Sequence, residues 1–102
     1  MTNAEKIDAI KYVYEHPGNE SVYYDLIENI DDKNLSYYDF MTTQPIDCNK
    51  ELERISEADF DLCVALLTML LREDHFSNGS LVQRYEEGSV DAILLKMIEL
   101  LK

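Results

Sequence analysis

The sequence has few basic residues, three glycines, two prolines and no tryptophan. Nine lysines and arginines stand against 21 aspartates and glutamates, so the 102-residue chain carries a formal net charge of -12 at pH 7. A surface this acidic repels phosphate backbones and anionic membrane surfaces. We therefore expect no direct binding to nucleic acid and no binding to membranes. Both halves of the chain share the acidic excess, which argues against a separate acidic tail.

Long apolar runs and cysteine motifs are also missing. The longest nearly apolar stretch, Leu62 to Leu71, has about half of the roughly 20 residues that a membrane-spanning helix needs. No apolar leader stands at the N-terminus, so we expect a cytoplasmic protein. The two cysteines, Cys48 and Cys63, form neither a CxxC pair nor a cluster with the two histidines. This spacing predicts reduced thiols and no zinc site.

Motifs for catalysis, nucleotide binding and calcium binding are absent as well. The three glycines are isolated, and none precedes a Lys-Ser or Lys-Thr pair as in a phosphate-binding loop. The oxygen-rich group between Asp31 and Asp39 lacks the glycine and the terminal glutamate of a calcium loop. No serine or cysteine stands in a nucleophile motif. We therefore predict no catalytic residue, no metal ligand and no cofactor.

The chain is rich in hydrophobic residues, many of which recur at helical spacing. They make up 46% of the sequence, which suffices for one buried core. Thr2 and Glu5 form a capping box that opens a first helix, and this helix ends at His16. Ser21 opens a second candidate helix, although residues 22–24 are also compatible with a strand.

The strongest helix signal in the chain follows residue 56. Ser56 and Asp59 form a second capping signature. The stretch from there to Asp74 is apolar on almost every side in its middle. A helix with this pattern is central, because its apolar surface must be covered from several directions.

Two glycines divide the rest of the chain into further helices. Gly79 ends the central helix, because glycine readily adopts the left-handed conformation found after helix C-termini. Ser80 caps a short helix that Gly88 ends, and Ser89 caps a last helix that runs to the end of the sequence. The sequence therefore predicts an all-α fold, a compact bundle of four to six helices around the central apolar helix. We expect this bundle to be a single domain over residues 1–102.

The segment from Asp31 to Asn49 is the least periodic part of the chain, and we predict an ordered loop there. It contains four large apolar side chains that are candidates for a protein interaction, namely Tyr37, Tyr38, Phe40 and Met41. Aromatic side chains bury large areas, so most of this group would fix the loop on the helices. Members that stay exposed would form a binding or self-association surface.

A short pattern after the central helix consists of an acid, a phenylalanine and two glycines, namely Asp74, Phe76, Gly79 and Gly88. Together with the surrounding segment Leu67 to Leu81, it resembles a family of small bacterial proteins known only as a domain of unknown function. His75 stands where that family commonly has an arginine. Tyr38 to Met41 is similar to an aromatic element upstream in the same family.

The resemblance covers mainly the C-terminal half of the chain and implies a helical fold rather than an activity. On this interpretation the matching residues are structural. The two glycines end helices, Phe76 turns into the core and Asp74 lies at a helix end. The resemblance implies no reaction, cofactor or catalytic residue.

Three functions are compatible with the sequence. The leading hypothesis is a non-catalytic protein-interaction module, homo-oligomeric or binding one partner, that uses the aromatic loop or an acidic face. The second is an acidic mimic that blocks a nucleic-acid-binding protein, because Glu53, Glu57 and Asp61 would stack on one face of a continuous helix. The third is a small enzyme with a site near Asp74 and His75. Sequence neighbours on a helix point about 100° apart, which argues against a shared site for that pair.

Overall fold

The chain folds into α-helices, and all but one of the connections between them are short. A computed structural model describes all of residues 1–102. Its helices are α1 (Asn3–Glu15), α2 (Glu20–Ile30), α3 (Cys48–Leu52), α4 (Phe60–Phe76), α5 (Ser80–Glu86) and α6 (Ser89–Leu101). Two short 3-10 turns, Tyr37–Phe40 and Ile55–Glu57, lie between α2 and α4. The predicted all-α class is confirmed, and the alternative of a strand at residues 22–24 is wrong because these residues lie within α2.

Helix α4 is the centre of the core. Every residue from Leu62 to Leu71 is buried except Thr68, which is partly exposed. Helices α2, α3, α5 and α6 and the 3-10 turn Tyr37–Phe40 all contact α4, whereas α1 packs mainly on α6 and α2. This arrangement confirms the central apolar helix, with the exception that α1 packs on α2 and α6 rather than on α4. None of the helices, including the 17-residue α4, has both the length and the hydropathy of a membrane span.

The N-termini of α1 and α4 are fixed by side-chain caps. The Thr2 hydroxyl accepts a hydrogen bond from the Glu5 amide at 3.1 Å, and the Glu5 carboxylate accepts one from the Thr2 amide at 2.9 Å. The predicted capping box is therefore confirmed. The predicted cap at Ser56 is wrong, because Ser56 lies in a 3-10 turn and α4 begins only after Asp59. Asp59 has the extended backbone of a cap residue and accepts from the Leu62 amide at 2.8 Å.

The two glycines after α4 connect three helices, as predicted. Gly79 has φ 94° and Gly88 has φ 93°, in the left-handed region that favours glycine. The serines that follow them do not cap α5 and α6, because each is the first helical residue and its glycine already occupies the cap position. A side chain can cap a helix only from the cap position itself.

Candidate functional site

The most exposed large apolar side chain of the molecule is Phe76, the last residue of α4. The residue is 85% exposed, so the prediction that Phe76 turns into the core is wrong. Phe76 follows the buried Met69 by seven residues and lies on the same side of the helix. Neighbouring elements cover that side around Met69 but not at the end of α4. The Phe76 ring stands beside a hollow of about 380 Å³ and meets the His75 ring edge-on, with 5.1 Å between ring centroids.

This hollow, which we call the Phe76 groove, lies where three stretches of chain meet. The end of α4 forms one wall, the 3-10 turn after α2 forms another, and the residues that lead into α3 form the third. Its main lining residues are Tyr37, Ile46, Cys48, Met69, Arg72 and Phe76. Glu73 and Ser77 complete the lining, so the surface is largely apolar, with the Arg72 guanidinium at its rim and the Glu73 carboxylate in its wall. Arg72 takes part in no ion pair and remains available to a ligand.

A buried carboxylate holds the loop that supplies two of these walls. Glu51 of α3 is completely buried. Its oxygens accept hydrogen bonds from the amides of Thr42 and Thr43 at 2.9 Å, and from their hydroxyls at 2.9 and 2.6 Å. The Arg54 guanidinium donates to the same carboxylate at 2.9 Å and to the Phe40 carbonyl at 2.7 Å. Five of these six hydrogen bonds reach residues 40–43 and fix them to Glu51 and Arg54, so the groove wall is preformed.

The four predicted interaction residues are divided between the groove and the core. Tyr37 lines the groove, and Tyr38 lies beside it with 6.5 Å between the ring centroids. The exposed Tyr38 donates its hydroxyl hydrogen bond to Gln44 at 2.6 Å. Phe40 and Met41 are half-buried against the core, where they fix the loop. The sequence pattern therefore located one wall of the groove and missed Phe76, whose exposure depends on tertiary coverage rather than on any local pattern.

An ion pair between α4 and α5 supports the opposite side of the groove. The Glu73 carboxylate accepts two hydrogen bonds from Arg84, one from Nε and one from Nη2, each at 2.9 Å. Arg84 Nη1 also donates to Asn49 at 2.7 Å and to Glu87 at 2.9 Å. The Arg84 guanidinium lowers the pKa of Glu73 below its usual value. Three helices, α3, α4 and α5, therefore meet at one guanidinium.

Both cysteines are free and protonated at neutral pH. Burial, with a further contribution from Glu73, raises the pKa of the Cys48 thiol to about 11. Burial raises the pKa of Cys63 to about 11 as well. A neutral thiol is a weak nucleophile, so Cys48 contributes to the groove as a small apolar group.

A second concave surface, which we call the Tyr23 cavity, has a volume of about 540 Å³. It lies between the turn that joins α1 to α2, the end of α4 and helix α5. Its main lining residues are Pro17, Glu20, Tyr23, Asp74, Val82 and Tyr85. Asp74 accepts a hydrogen bond from the Leu81 amide at 3.0 Å, whereas His75 is exposed and lies outside the cavity beside Phe76. The two neighbours Asp74 and His75 therefore face different surfaces.

The row of acids that suggested mimicry of nucleic acid does not lie on one helix. Glu53 follows the last residue of α3, Glu57 ends a 3-10 turn and Asp61 is in the first turn of α4. The stacking expected for a continuous helix is therefore not formed, and the mimicry hypothesis loses the geometric argument behind it. No three histidine, cysteine, aspartate or glutamate side chains gather in a group that could hold a metal ion.

Comparison with known proteins extends the resemblance to the whole chain. The model of a family described as a family of unknown function, DUF6508, matches residues 2–102. The similarity inferred from the C-terminal half is therefore too narrow, because it also includes α1 and α2. Neither the curated proteins nor the solved structures contain a significant match. The chain belongs to the family of unknown function DUF6508.

Proposed function

We propose that this protein is a non-catalytic interaction module that docks one partner protein on the Phe76 groove. The observation that supports this proposal is a phenylalanine 85% exposed beside an apolar hollow. Burial of such a side chain stabilises by about 1.5–3 kcal/mol, a contribution that Phe76 forgoes in the free protein. Aromatic side chains next to a pocket are typical of the few residues that dominate binding energy in protein interfaces.

The rigidity of the groove favours a binding role for Phe76 over an exposure that has no function. The Glu51 network holds the loop on one side, and the Glu73–Arg84 ion pair holds α5 against α4 on the other. A preformed surface loses little conformational entropy when a ligand binds. The free Arg72 guanidinium at the rim is planar and can stack on an aromatic ring of a partner.

Charge favours a basic partner over a second copy of this chain. Two copies would each carry a net charge of -12 and would repel one another during approach. A basic partner is attracted by the same field, which raises the association rate. We therefore propose that the partner presents an aromatic anchor flanked by lysine or arginine. The module would work in the reducing cytoplasm of a bacterial cell, and the two free thiols support this placement.

Peptide display tests the proposed docking surface. A random peptide library is selected against the purified protein, and affinities of the enriched peptides are measured by fluorescence anisotropy. We expect enrichment of peptides with an aromatic residue next to basic residues. Phe76→Gln should weaken their binding by about tenfold or more, because a central aromatic anchor contributes at least about 1.4 kcal/mol.

The matched control is Leu95→Gln on α6, which also removes an exposed apolar side chain but lies outside the groove. This variant should bind the selected peptides as the wild type does. Selected peptides that bind Phe76→Gln with unchanged affinity would contradict the proposal, as would a library from which no sequence is enriched.

A further inference from the structure

Helix α5 is joined to its two neighbours by a glycine at each end. Gly79 and Gly88 have φ 94° and 93°, and a Cβ added at either position would meet no atom within 4 Å beyond the adjacent residues. These glycines therefore serve the backbone conformation rather than close packing. Glycine has the widest backbone freedom of any residue, and hinges are commonly a few residues at the ends of elements. The seven residues of α5 can thus turn as one piece between two flexible joints.

Little apolar surface holds α5 to the rest of the molecule. Of its residues only Leu81 is buried, whereas α4 contributes nine buried residues and α6 contributes five. Val82 and Tyr85, the other large apolar side chains of α5, are exposed. Burial of apolar surface is the main favourable term in folding, and segments with few buried contacts open most easily. Apolar contacts therefore hold α5 less firmly than they hold α4 or α6.

Polar contacts supply much of the attachment of α5. Arg84 donates two hydrogen bonds to Glu73 of α4 and one to Asn49 of α3, and the Asp74 carboxylate accepts one from the Leu81 amide. The Arg84 and Glu73 side chains are 13% and 22% exposed, so both recover hydration when α5 moves away. Because the two charges enter water together, neither is left buried without its partner. The ion pair can therefore break and re-form at a moderate cost.

We propose that α5 is a hinged flap that opens as one unit, with joints at Gly79 and Gly88 and the Arg84–Glu73 ion pair as its latch. Helix α5 forms one wall of the Tyr23 cavity, and Glu73 lines the Phe76 groove. Opening removes that wall and leaves the Glu73 carboxylate without its guanidinium, so both concave surfaces change in one step. The flap thus connects two surfaces that share no lining residue. By linkage, a ligand that prefers one position of α5 changes the affinity of the other surface.

Native-state hydrogen exchange of the full chain, measured by nuclear magnetic resonance at urea concentrations below the unfolding transition, tests the proposal. The reporters in α5 are the amides of Leu81, Gln83 and Glu87, which donate to Asp74, to Gly79 and to Gln83. We expect these three amides to share one opening free energy and a weak response to urea, because a small opening exposes little surface.

Two neighbouring helices provide the internal reference for this measurement. After correction for intrinsic rates, the α5 amides should exchange at least about a hundredfold faster than the amides of residues 66–71 in the middle of α4. Residues 94–98 of α6 should be protected like those of α4, because they lie beyond the second joint. Exchange of the α5 amides with the free energy and urea response of α4 would overturn the proposal, since α5 would then open only with the whole molecule. Three separate opening free energies within α5, or an opening that includes residues 94–98, would overturn it as well.

Two variants separate release of the latch from general destabilisation. Arg84→Lys keeps the charge but loses the paired bonds to Glu73, so it should speed exchange of the α5 amides by about fivefold to thirtyfold. The control, Ile10→Val, shortens a buried side chain of α1, whose main neighbours are α6 and α2. It should speed exchange of residues 66–71 by about twofold to tenfold and leave the α5 amides unchanged. Unchanged α5 exchange in Arg84→Lys, or equal acceleration of α4 and α5 in Ile10→Val, would contradict the flap.

Discussion

Among single residues, Glu51 has the most unusual environment. Burial alone would raise its pKa, because an ionised carboxylate loses its hydration. Hydrogen bonds from Thr43, Thr42 and Arg54 outweigh that effect and lower the pKa of Glu51 to about 2. The carboxylate is therefore charged at neutral pH although it is completely buried. All of its hydrogen-bond partners lie in the segment between α2 and α4.

The Glu51 environment predicts a defined pH dependence of stability. The pKa is about 2 in the folded protein against an ordinary value of 4.5, so ionisation of Glu51 stabilises the fold above pH 4.5. This contribution is lost as the pH falls from 4.5 towards 2. Glu51→Gln should reduce stability at pH 7 by about 1–3 kcal/mol, because the charged acceptor is lost. It should also flatten the pH dependence in that window, as measured by urea unfolding at a series of pH values. An unchanged slope in the variant would contradict the assignment.

The sequence predicted residue roles where a local rule decides them and failed where tertiary packing does. Thr2 caps α1 because the capping box is a purely local motif. Ser89 does not cap α6, because Gly88 in the left-handed conformation already fills the cap position. Phe76 matches the apolar spacing of α4, yet nothing in that spacing reveals that neighbouring elements stop short of its ring. No local pattern indicates that Glu51 is buried, because its threonine partners lie eight and nine residues away in a loop.

At the scale of elements, helix α5 depends on its neighbours for its stability. It has seven residues, too few for a helix that is stable alone in water. It is held to α4 by the buried Leu81 and by the Glu73–Arg84 ion pair. Because α5 contributes to the Tyr23 cavity and Arg84 supports a wall of the Phe76 groove, the same contacts shape both concave surfaces.

Replacement of Arg84 by lysine should show how far this helix depends on paired hydrogen bonds rather than on charge. Lysine keeps the positive charge but cannot donate two parallel bonds to Glu73. We expect Arg84→Lys to lower the free energy of unfolding by about 1–2 kcal/mol, measured by urea denaturation at pH 7. Arg72→Lys, an exposed site on α4 without an ion pair, should change it by about 0.5 kcal/mol or less. Equal effects of the two variants would show that the paired geometry contributes nothing.

The sequence predicts the ends of helices best where the apolar periodicity extends over many residues. Helix α4 was predicted to run to Asp74 and ends at Phe76, and α1 ends at Glu15, next to the predicted His16. The capping signature at Ser56 predicts a start of α4 that is too early, because Ser56 lies in the 3-10 turn before this helix. The loop between α2 and α4 has no periodicity, so its 3-10 turns and the short α3 could not be inferred from pattern alone.

At the scale of the whole molecule, the negative charges repel one another throughout the folded protein. The longest dimension is 35 Å, and the Debye length is about 30 Å at 0.01 M salt, so most charges interact with one another at low ionic strength. The five ion pairs do not reduce the excess of twelve negative charges, because the net charge already counts their lysines and arginines. Folding gathers these charges into a smaller volume and is therefore opposed by repulsion.

Sodium chloride should consequently stabilise the protein. We expect the thermal unfolding midpoint, followed by circular dichroism, to rise between roughly 0.01 M and 0.5 M salt, because the Debye length falls to only a few ångströms. A D25N/E53Q variant carries two fewer negative charges and should show a smaller rise. A midpoint that falls with salt would mean that the ion pairs outweigh the repulsion.

The contact between α1 and α6 joins the two ends of the sequence. Ile10 and Val13 of α1 are buried, and α6, which contributes Ile93 and Met97 to the same core, is the main neighbour of α1. A ribosome makes the first helix some eighty residues before its neighbour is finished. Throughout that interval α6 cannot cover the apolar face of α1, and only the contact with α2 is available to it. The packing of α1 is completed only when α6 has been translated.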